Sequence, residues 1–312
     1  MPKINENLKY LMDKAKAFGI TFEFLDTKPQ IILAKKGERI ISIYKSKLPL
    51  NPSGAVKISK DKNLTKVILA KAGIKVPKGI LINNLDDLSL RLGNSGLKYP
   101  LVVKPNDESL GRGVTANLSS FEEVQKAVSG LVSAGRTEII IEEYFEGEDH
   151  RFLVLDGKVL AVAKRLCPKI IGDGKSKIKE LINIYNTGRL HNVPFDEEVD
   201  RYLSMQGYTL DSIPDVGAEV ILRGNSNYRT GGRSQDVTDS VDKEYKKIAE
   251  FAAGVIGLRL AGVDILIKDD GEFDDYVVTE VNSVPGFDVH MSPDMGESRE
   301  DILEKVWLAI FK

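Results

Sequence analysis

Three oxygen-bearing side chains in one short stretch give the first chemical hint. Leu260 to Asn282 reads LAGVDILIKDDGEFDDYVVTEVN. Two apolar, β-branched runs, Val263–Ile267 and Tyr276–Val281, flank an acidic, glycine-containing turn, Asp269–Asp275, the signature of a β-hairpin. With the turn centred near Glu272, Asp264 lies opposite Glu280. Residues facing each other across an antiparallel pair point to one side of the sheet, and side-chain alternation puts Asn282 there too. Two carboxylates and an amide oxygen then meet at one end. Such a set suits Mg²⁺ (or Mn²⁺ in its place), a hard cation that takes a few oxygen ligands and leaves room for phosphate. Read alone, the stretch also fits a solvated acidic hairpin, because carboxylates on strands are usually exposed.

Other stretches add groups suited to a nucleotide. Tyr99–Lys104, an apolar strand ending in Lys104, runs into NDESLGRGV, with Ser109, Gly111 and Gly113 in the loop. A lysine at a strand end beside a glycine-containing loop can hold a triphosphate, since glycine lets backbone N–H groups approach phosphate oxygens. No Gly-Lys-Ser/Thr follows, so this is no Walker A loop, and a plain hairpin turn is the alternative. The run Glu142-Glu143-Tyr144-Phe145-Glu146-Gly147-Glu148-Asp149 mixes acceptors with two aromatics. It can host an adenine, whose face wants apolar walls and whose edge wants hydrogen bonds, or it is an acidic connection between strands. The loop GNSNYRTGGRSQDVTD packs Arg223, Asn225, Asn227, Arg229, Gly231, Gly232 and Arg233 into a few positions. Its basic groups could face the negative charge that builds up during phosphoryl transfer, or it is a solvated surface loop.

The elements that must position these groups alternate between short strands and amphipathic helices. Helices are expected over Asn7–Phe18, Asp61–Ala72, Phe121–Leu131, Ile178–Asn186, Asp242–Ile256 and from Arg299 to the C-terminus, with a further helix inside Asn192–Gly207. Asp61 is placed to cap its helix and Gly73 to end it. Strands are expected at Ile20–Leu25, Gln30–Ala34, Arg39–Ile43, Ile80–Ile82, Glu138–Ile141 and Val220–Arg223. Arg151–Leu155 and Lys158–Lys164 pair around the strong two-residue turn Asp156-Gly157. The 312 residues suffice for more than one lobe, and a net charge of −2 gives no bulk reason to expect nucleic acid. One cysteine, Cys167, excludes an intrachain disulfide, and His150, His191 and His290 show no zinc-like spacing. The N-terminus has no apolar signal core and no run reaches membrane-spanning length, so a cytoplasmic enzyme or binding protein without membrane or nucleic-acid partners is expected.

Taken in order, the motifs resemble the ATP-grasp superfamily from about Lys60 to Lys312. They are DKxxTK (Asp61–Lys66), VVKP (Val102–Pro105), the glycine loop (Ser109–Val114), EEYFEGEDHRFLVLDGKV (Glu142–Val159), GVD (Gly262–Asp264) and EVNSVPG (Glu280–Gly286). Each is modest alone, and all in register are specific. The stretches IIGDGKSKIKELI, QGYTLDSIPDVGAEVILRGNSN and TGGRSQDVTD resemble two relatives: the glutathione-synthetase module of bifunctional glutathione synthases and the ATP-grasp module of cyanophycin synthetases. NSVPGFDVHMSPDMG resembles the cyanophycin type. Neither a γ-glutamylcysteine ligase before these motifs nor a Mur-ligase-like domain after them is seen, so a free-standing ligase of one coupling step is expected.

The resemblance implies an α+β ATP-grasp fold. Residues 1–60 would be a short pre-ATP-grasp region and 61–312 the ATP-grasp domain, with a mobile lid over about 99–148 and a metal-bearing subdomain over about 149–312. It implies that Lys62 and Lys104 bind ATP, that Ser109, Gly111 and Gly113 lie in the loop over the triphosphate, that Glu142, Glu143, Tyr144 and Phe145 hold adenine, and that Asp149 falls at the ribose position. Asp264, Glu280 and Asn282 would hold the metal. Arg165, with Arg151 or Arg223, would face the γ-phosphate and an acyl phosphate; Gly262 stands where D-alanine–D-alanine ligases carry an arginine. Asn227, Gly231, Gly232, Gly286 and His290 would lie on substrate loops. The expected activity is ATP-dependent coupling of a small carboxylate to an amine, in a possible homo-oligomer. Addition of amino acids to a peptide or protein terminus, and a non-catalytic nucleotide-binding module, are the alternatives.

Overall fold

A computed structural model of the chain describes residues 6–26, 31–108, 112–189, 191–268 and 273–312. The opening helix α1 (Glu6–Ala15) is followed by β1 (Thr21–Asp26), β2 (Ile31–Lys36) and β3 (Arg39–Tyr44), an antiparallel three-stranded sheet. Helices α2 (Ser53–Lys60) and α3 (Lys62–Lys71) come next. Asp61 caps α3 by accepting from Leu64 N at 2.8 Å, and Gly73 leaves it with φ +84°, as the sequence led us to expect.

A four-stranded antiparallel sheet follows. It is built from β4 (Gly79–Ile82), β5 (Leu101–Pro105), β6 (Thr115–Leu118) and β7 (Ile139–Glu143) in the order β4-β7-β5-β6. Helices α4 (Leu88–Gly93) and α5 (Phe121–Ser133) cover it, burying Leu88, Val124 and Val128 against Val103 and Ile141. Ser120 caps α5.

The largest sheet draws on the rest of the chain. β8 (Glu148–Leu155) and β9 (Lys158–Leu166) form a hairpin whose turn residues Asp156 and Gly157 have φ +48° and +74°, the type I′ turn that right-twisted strands favour. β10 (Lys169–Ile171), α6 (Ile178–Asn186), α7 (Glu197–Met205) and β11 (Glu219–Ile221) then form a small insert with its own core, including Ile178, Ile182, Val199, Leu203 and Val220. β12 (Arg233–Asp236), α8 (Lys243–Ile256), β13 (Leu260–Ile267), β14 (Tyr276–Asn282), α9 (Asp288–Met291) and α10 (Asp301–Ile310) complete the chain. The five-stranded order is β12-β9-β8-β13-β14. Among the described residues no helix is long and apolar enough to cross a membrane.

This sheet explains how a site can arise. Side chains alternate between its faces. One face sends Phe152, Val154, Val162, Val263 and Ile265 into a core with Ala249, Ala252 and Ala253 of α8. The other face is split along the strands. One end carries Leu153, Leu155, Ala161 and Leu260 into a core with Leu8, Leu11, Val306 and Trp307, whose indole N–H donates to Leu11 O at 2.8 Å. The other end of that face carries Asp149, Arg151, Arg165, Asp264, Glu280 and Asn282, by the same alternation.

Candidate active site

Two buried charge clusters flank helix α3 and the hairpin. In the first, Lys66 and Lys104 each donate to one oxygen of Glu142, and all three residues are buried. Glu142 lies within β7, paired to Gly79 on one side and Val102 on the other. The expectation that it belongs to an adenine-holding connection is therefore corrected: its backbone is taken up by two neighbouring strands and its carboxylate faces lysines. Burial pushes the Glu142 pKa up, but the two ammonium groups outweigh it and hold the carboxyl below its ordinary value. Burial, Lys104 and Lys62 lower Lys66 to about 8 against the opposing pull of Glu142.

Asn106, buried just beyond β5, ties α3 to this sheet. Its side chain accepts from Asn63 N at 2.9 Å and donates to Asp61 at 3.1 Å and Glu138 at 2.9 Å. That anchor aims Lys62, whose ammonium donates to Glu108 O and stands 3.5 Å from Glu280. Lys62 thus spans from the loop after β5 to β14. Gly113 lies in that loop at φ +70°, whereas Ser109 and Gly111 fall outside the described residues, as does the hairpin turn segment 269–272.

The second cluster sits on the polar end of the large sheet. The observed register pairs Asp264 with Glu280 and Gly262 with Asn282, as the alternation had indicated, with a bulge at Thr279. Arg151 grips Asp264 through both oxygens, with Nη2 at 2.9 Å from Oδ2. Arg165 reaches the same carboxylate at 3.0 Å and Asp149 at 2.7 Å. Burial pushes Asp264 up, and the two guanidinium groups bring it below its ordinary value. Burial disfavours the charge on Arg165, yet Asp149 and Asp264 raise its pKa. Gly262 explains how Arg151 fits. A Cβ there would lie 3.1 Å from Arg151 Cδ and 3.0 Å from Pro285 Cβ. Arg151 Nη1 would stand 3.2 Å from that Cβ, so the guanidinium of the adjacent strand lies over Gly262.

The remaining expected residues divide. Asp149 lies on β8 and accepts from Ser226 Oγ as well as Arg165. Glu143 N donates to Lys78 O and its carboxylate accepts from Lys98 N. Tyr144 and Phe145 occupy the short connection to β8, with Tyr144 N donating to Pro100 O. The Phe145 ring lies against Gly147. Arg223 holds Asp196 at 2.7 and 2.8 Å and also Glu198, both on the insert. Gly231 and Gly232 are buried under the insert as well. Gly231 has φ +91°, and a Cβ there would stand 2.3 Å from Val193 Cγ2, so only glycine fits. Tyr185 donates to Gly231 O, Arg189 to Gly232 O, and the Tyr185 ring is stacked by Arg189 and Arg233. Asn227 starts a single 3₁₀ turn by accepting from Arg229 N. Gly286 leads into α9, where His290 is buried. Among the described residues neither ring nitrogen of His290 has a hydrogen-bond partner, and burial with Arg151 nearby lowers its pKa to about 3, so it stays neutral at working pH. Burial pushes the Cys167 thiol up to about 11, which makes it a poor nucleophile.

Sequence reasoning passed over Lys66, Asn106, Tyr185, Arg189, Asp196 and Glu198. Lys66 did carry a signal: it closes the DKxxTK motif and sits four residues after Lys62, on the helix face that also buries Thr65 and Leu69.

A family model described as the RimK-like ATP-grasp domain matches residues 59–178 and 215–300, well over half of the chain. The unmatched middle falls on α6 and α7 of the insert. Cyanophycin synthetase of Trichormus variabilis is 40% identical over 257 residues, covering 78% of this chain and 28% of that protein. The glutathione biosynthesis bifunctional protein of Enterococcus faecalis is 31% identical over 315 residues, covering 93% of this chain and 41% of that protein. The crystal structure of a bifunctional glutathione synthetase from Pasteurella multocida superposes with a TM-score of 0.69 at 27% identity, over 99% of this chain and 44% of that one. The chain thus spans less than half the length of each of these relatives.

Proposed function

This chain belongs to the RimK-like ATP-grasp family and has the ATP-grasp fold, and from that premise we propose that it is an ATP-dependent ligase joining a carboxylate to an amine. One observation carries the reading. Lys62 reaches from the loop after β5 to Glu280 of β14, so a lysine-rich cluster on one side meets the Asp264–Glu280 hairpin on the other. Three ammonium groups, Lys62, Lys66 and Lys104, face two carboxylates, Glu142 and Glu280, which leaves a surplus of positive charge with little solvent around it. A polyphosphate satisfies that surplus.

The hairpin donors fit a hard cation. Asp264, Glu280 and Asn282 offer oxygen alone, and Asp264 Oδ1 keeps a lone pair beyond its bond to Arg151, whereas Oδ2 accepts from both Arg151 and Arg165. These three would hold Mg²⁺, which neutralises charge on the phosphate oxygens when bound. Lys62 and Lys104 would take phosphate oxygens, Phe145 and Tyr144 would wall the base, and Asp149 would meet the ribose. A substrate carboxylate oxygen attacks the γ-phosphorus; the bond to ADP breaks and an acyl phosphate forms. The amine nitrogen then attacks the carbonyl carbon and expels phosphate. Arg165 and Arg151 stabilise the charge gathered on the transferred phosphoryl group, because their positions are already fixed. The resemblance would also set Gly286, His290 and Asn227 on substrate loops, with His290 buried and neutral near the arginines.

An ADP-release screen over pairs of carboxylic acids and amines, with products identified by mass, tests this. ADP that requires both partners and a product carrying a new amide support it. Nucleotide binding without partner-dependent ADP release would replace the ligase with a non-catalytic module. Glu280→Gln should lower ADP formation by about a hundredfold to a thousandfold with an unchanged melting temperature.

A further inference from the structure

The lysine cluster holds one ammonium group more than phosphate binding by Lys62 and Lys104 requires. Lys66 lies on the buried face of α3, one turn beyond Lys62, with its charge against Glu142. Glu142 cannot withdraw, because its strand is paired on both sides. Lys104 holds the other oxygen of the same carboxylate. Lys104 has three N–H donors but a single charge, which is now set against Glu142 and which a phosphate would draw away. A buried carboxylate released by its only cation resists the exchange, since a charge out of water needs a partner.

We propose that Lys66 is a positioning residue for the nucleotide: it keeps Glu142 compensated, so that Lys104 can exchange carboxylate for phosphate. The inference rests on the nucleotide-binding reading above and assigns a role to a residue outside the expected phosphate ligands. Anion entry moves one ammonium group of the pair, and the other stays. The groups that face Lys66 are Glu142 from β7, Lys104 from β5 and Lys62 from its own helix. With a pKa of about 8, Lys66 loses its proton as pH rises above that value. Lys104 is then the sole cation on Glu142, and phosphate must compete for it.

The test is calorimetry of Mg-ADP binding to the full chain at pH 7.5 and 9.0, for wild type, Lys66→Met, Lys66→Arg and the double variant Lys66→Met with Glu142→Gln. Lys66→Met should weaken binding at pH 7.5 by about tenfold or more, the worth of a charged hydrogen bond. The double variant should return to within about threefold of wild type, because a neutral amide no longer retains Lys104. Wild-type affinity should fall about tenfold from pH 7.5 to 9.0, and the Lys66→Arg variant should stay nearly flat, since arginine keeps its proton. Wild-type affinity in Lys66→Met, or a double variant no better than the single one, overturns the inference and leaves the ligase reading standing. Wild type that does not bind Mg-ADP overturns both. Should Lys66→Met lose its cooperative melt, the pH comparison between wild type and Lys66→Arg decides alone.

Discussion

Glu142 and Asp264 are two buried carboxylates, each held between two cations, and their neighbourhoods differ in kind. Glu142 is held by lysines, compact point charges on flexible stems, one of which loses its proton near pH 8. Asp264 is held by arginines, planar forks that stay charged and lock the carboxylate through both oxygens. The first neighbourhood is suited to exchange partners and the second to hold still. A site that admits a polyanion and then stabilises a transferred phosphoryl group needs both behaviours.

Removing each anion separates the two. Asp264→Asn leaves Arg151 and Arg165 buried, charged and without their shared partner, and neither can discharge. The expected loss is about 3–5 kcal/mol of stability, read from denaturant midpoints. Glu142→Gln also strands two cations, but Lys66 can shed its proton, so the loss should be smaller, about 1–3 kcal/mol. Equal losses in the two variants would break the contrast. The next effect is a slope rather than a step. Lys66 has a pKa of about 8 when folded against 10.5 ordinarily. Across that window the unfolded chain binds more protons, so stability contributed by this group rises as pH climbs from about 8 towards 10.5. A Lys66→Met chain should lack that rise in a series of urea midpoints against pH. The smallest effect sharpens the comparison from outside. Lys305 and Asp301 form an exposed pair, four residues apart on α10, at 2.6 Å. Lys305→Ala should change stability by about 0.5 kcal/mol or less, which would show that burial rather than mere pairing sets the scale.

What the sequence made legible was local or periodic. The pairing of Asp264 with Glu280 followed from strand alternation around one turn, the Asp156-Gly157 hairpin from turn chemistry, and the start of α3 from a capping aspartate. Helix α2 was not among the expected helices: Pro52 and Gly54 disfavour one, and tertiary packing of Ala55 overrides that preference. Lys66 escaped because a helical lysine is usually solvated, and only the position of β7 decides that this one is not. Arg223 shows the limit from the other side. A dense polar loop resembles a ligand-binding loop, and nothing in its spacing reveals that Asp196 and Glu198, far back in the chain, take the guanidinium.

The two-helix insert has a consequence for how such a molecule can diverge. It folds around its own apolar residues, and Arg223, Tyr185 and Arg189 stitch it to the loop after β11, with Arg233 of β12 stacked on the Tyr185 ring. A cassette built that way can be exchanged while the two carboxylate clusters stay as they are. The insert's sequence can then drift under its own packing constraints, separately from those that fix Glu142 and Asp264.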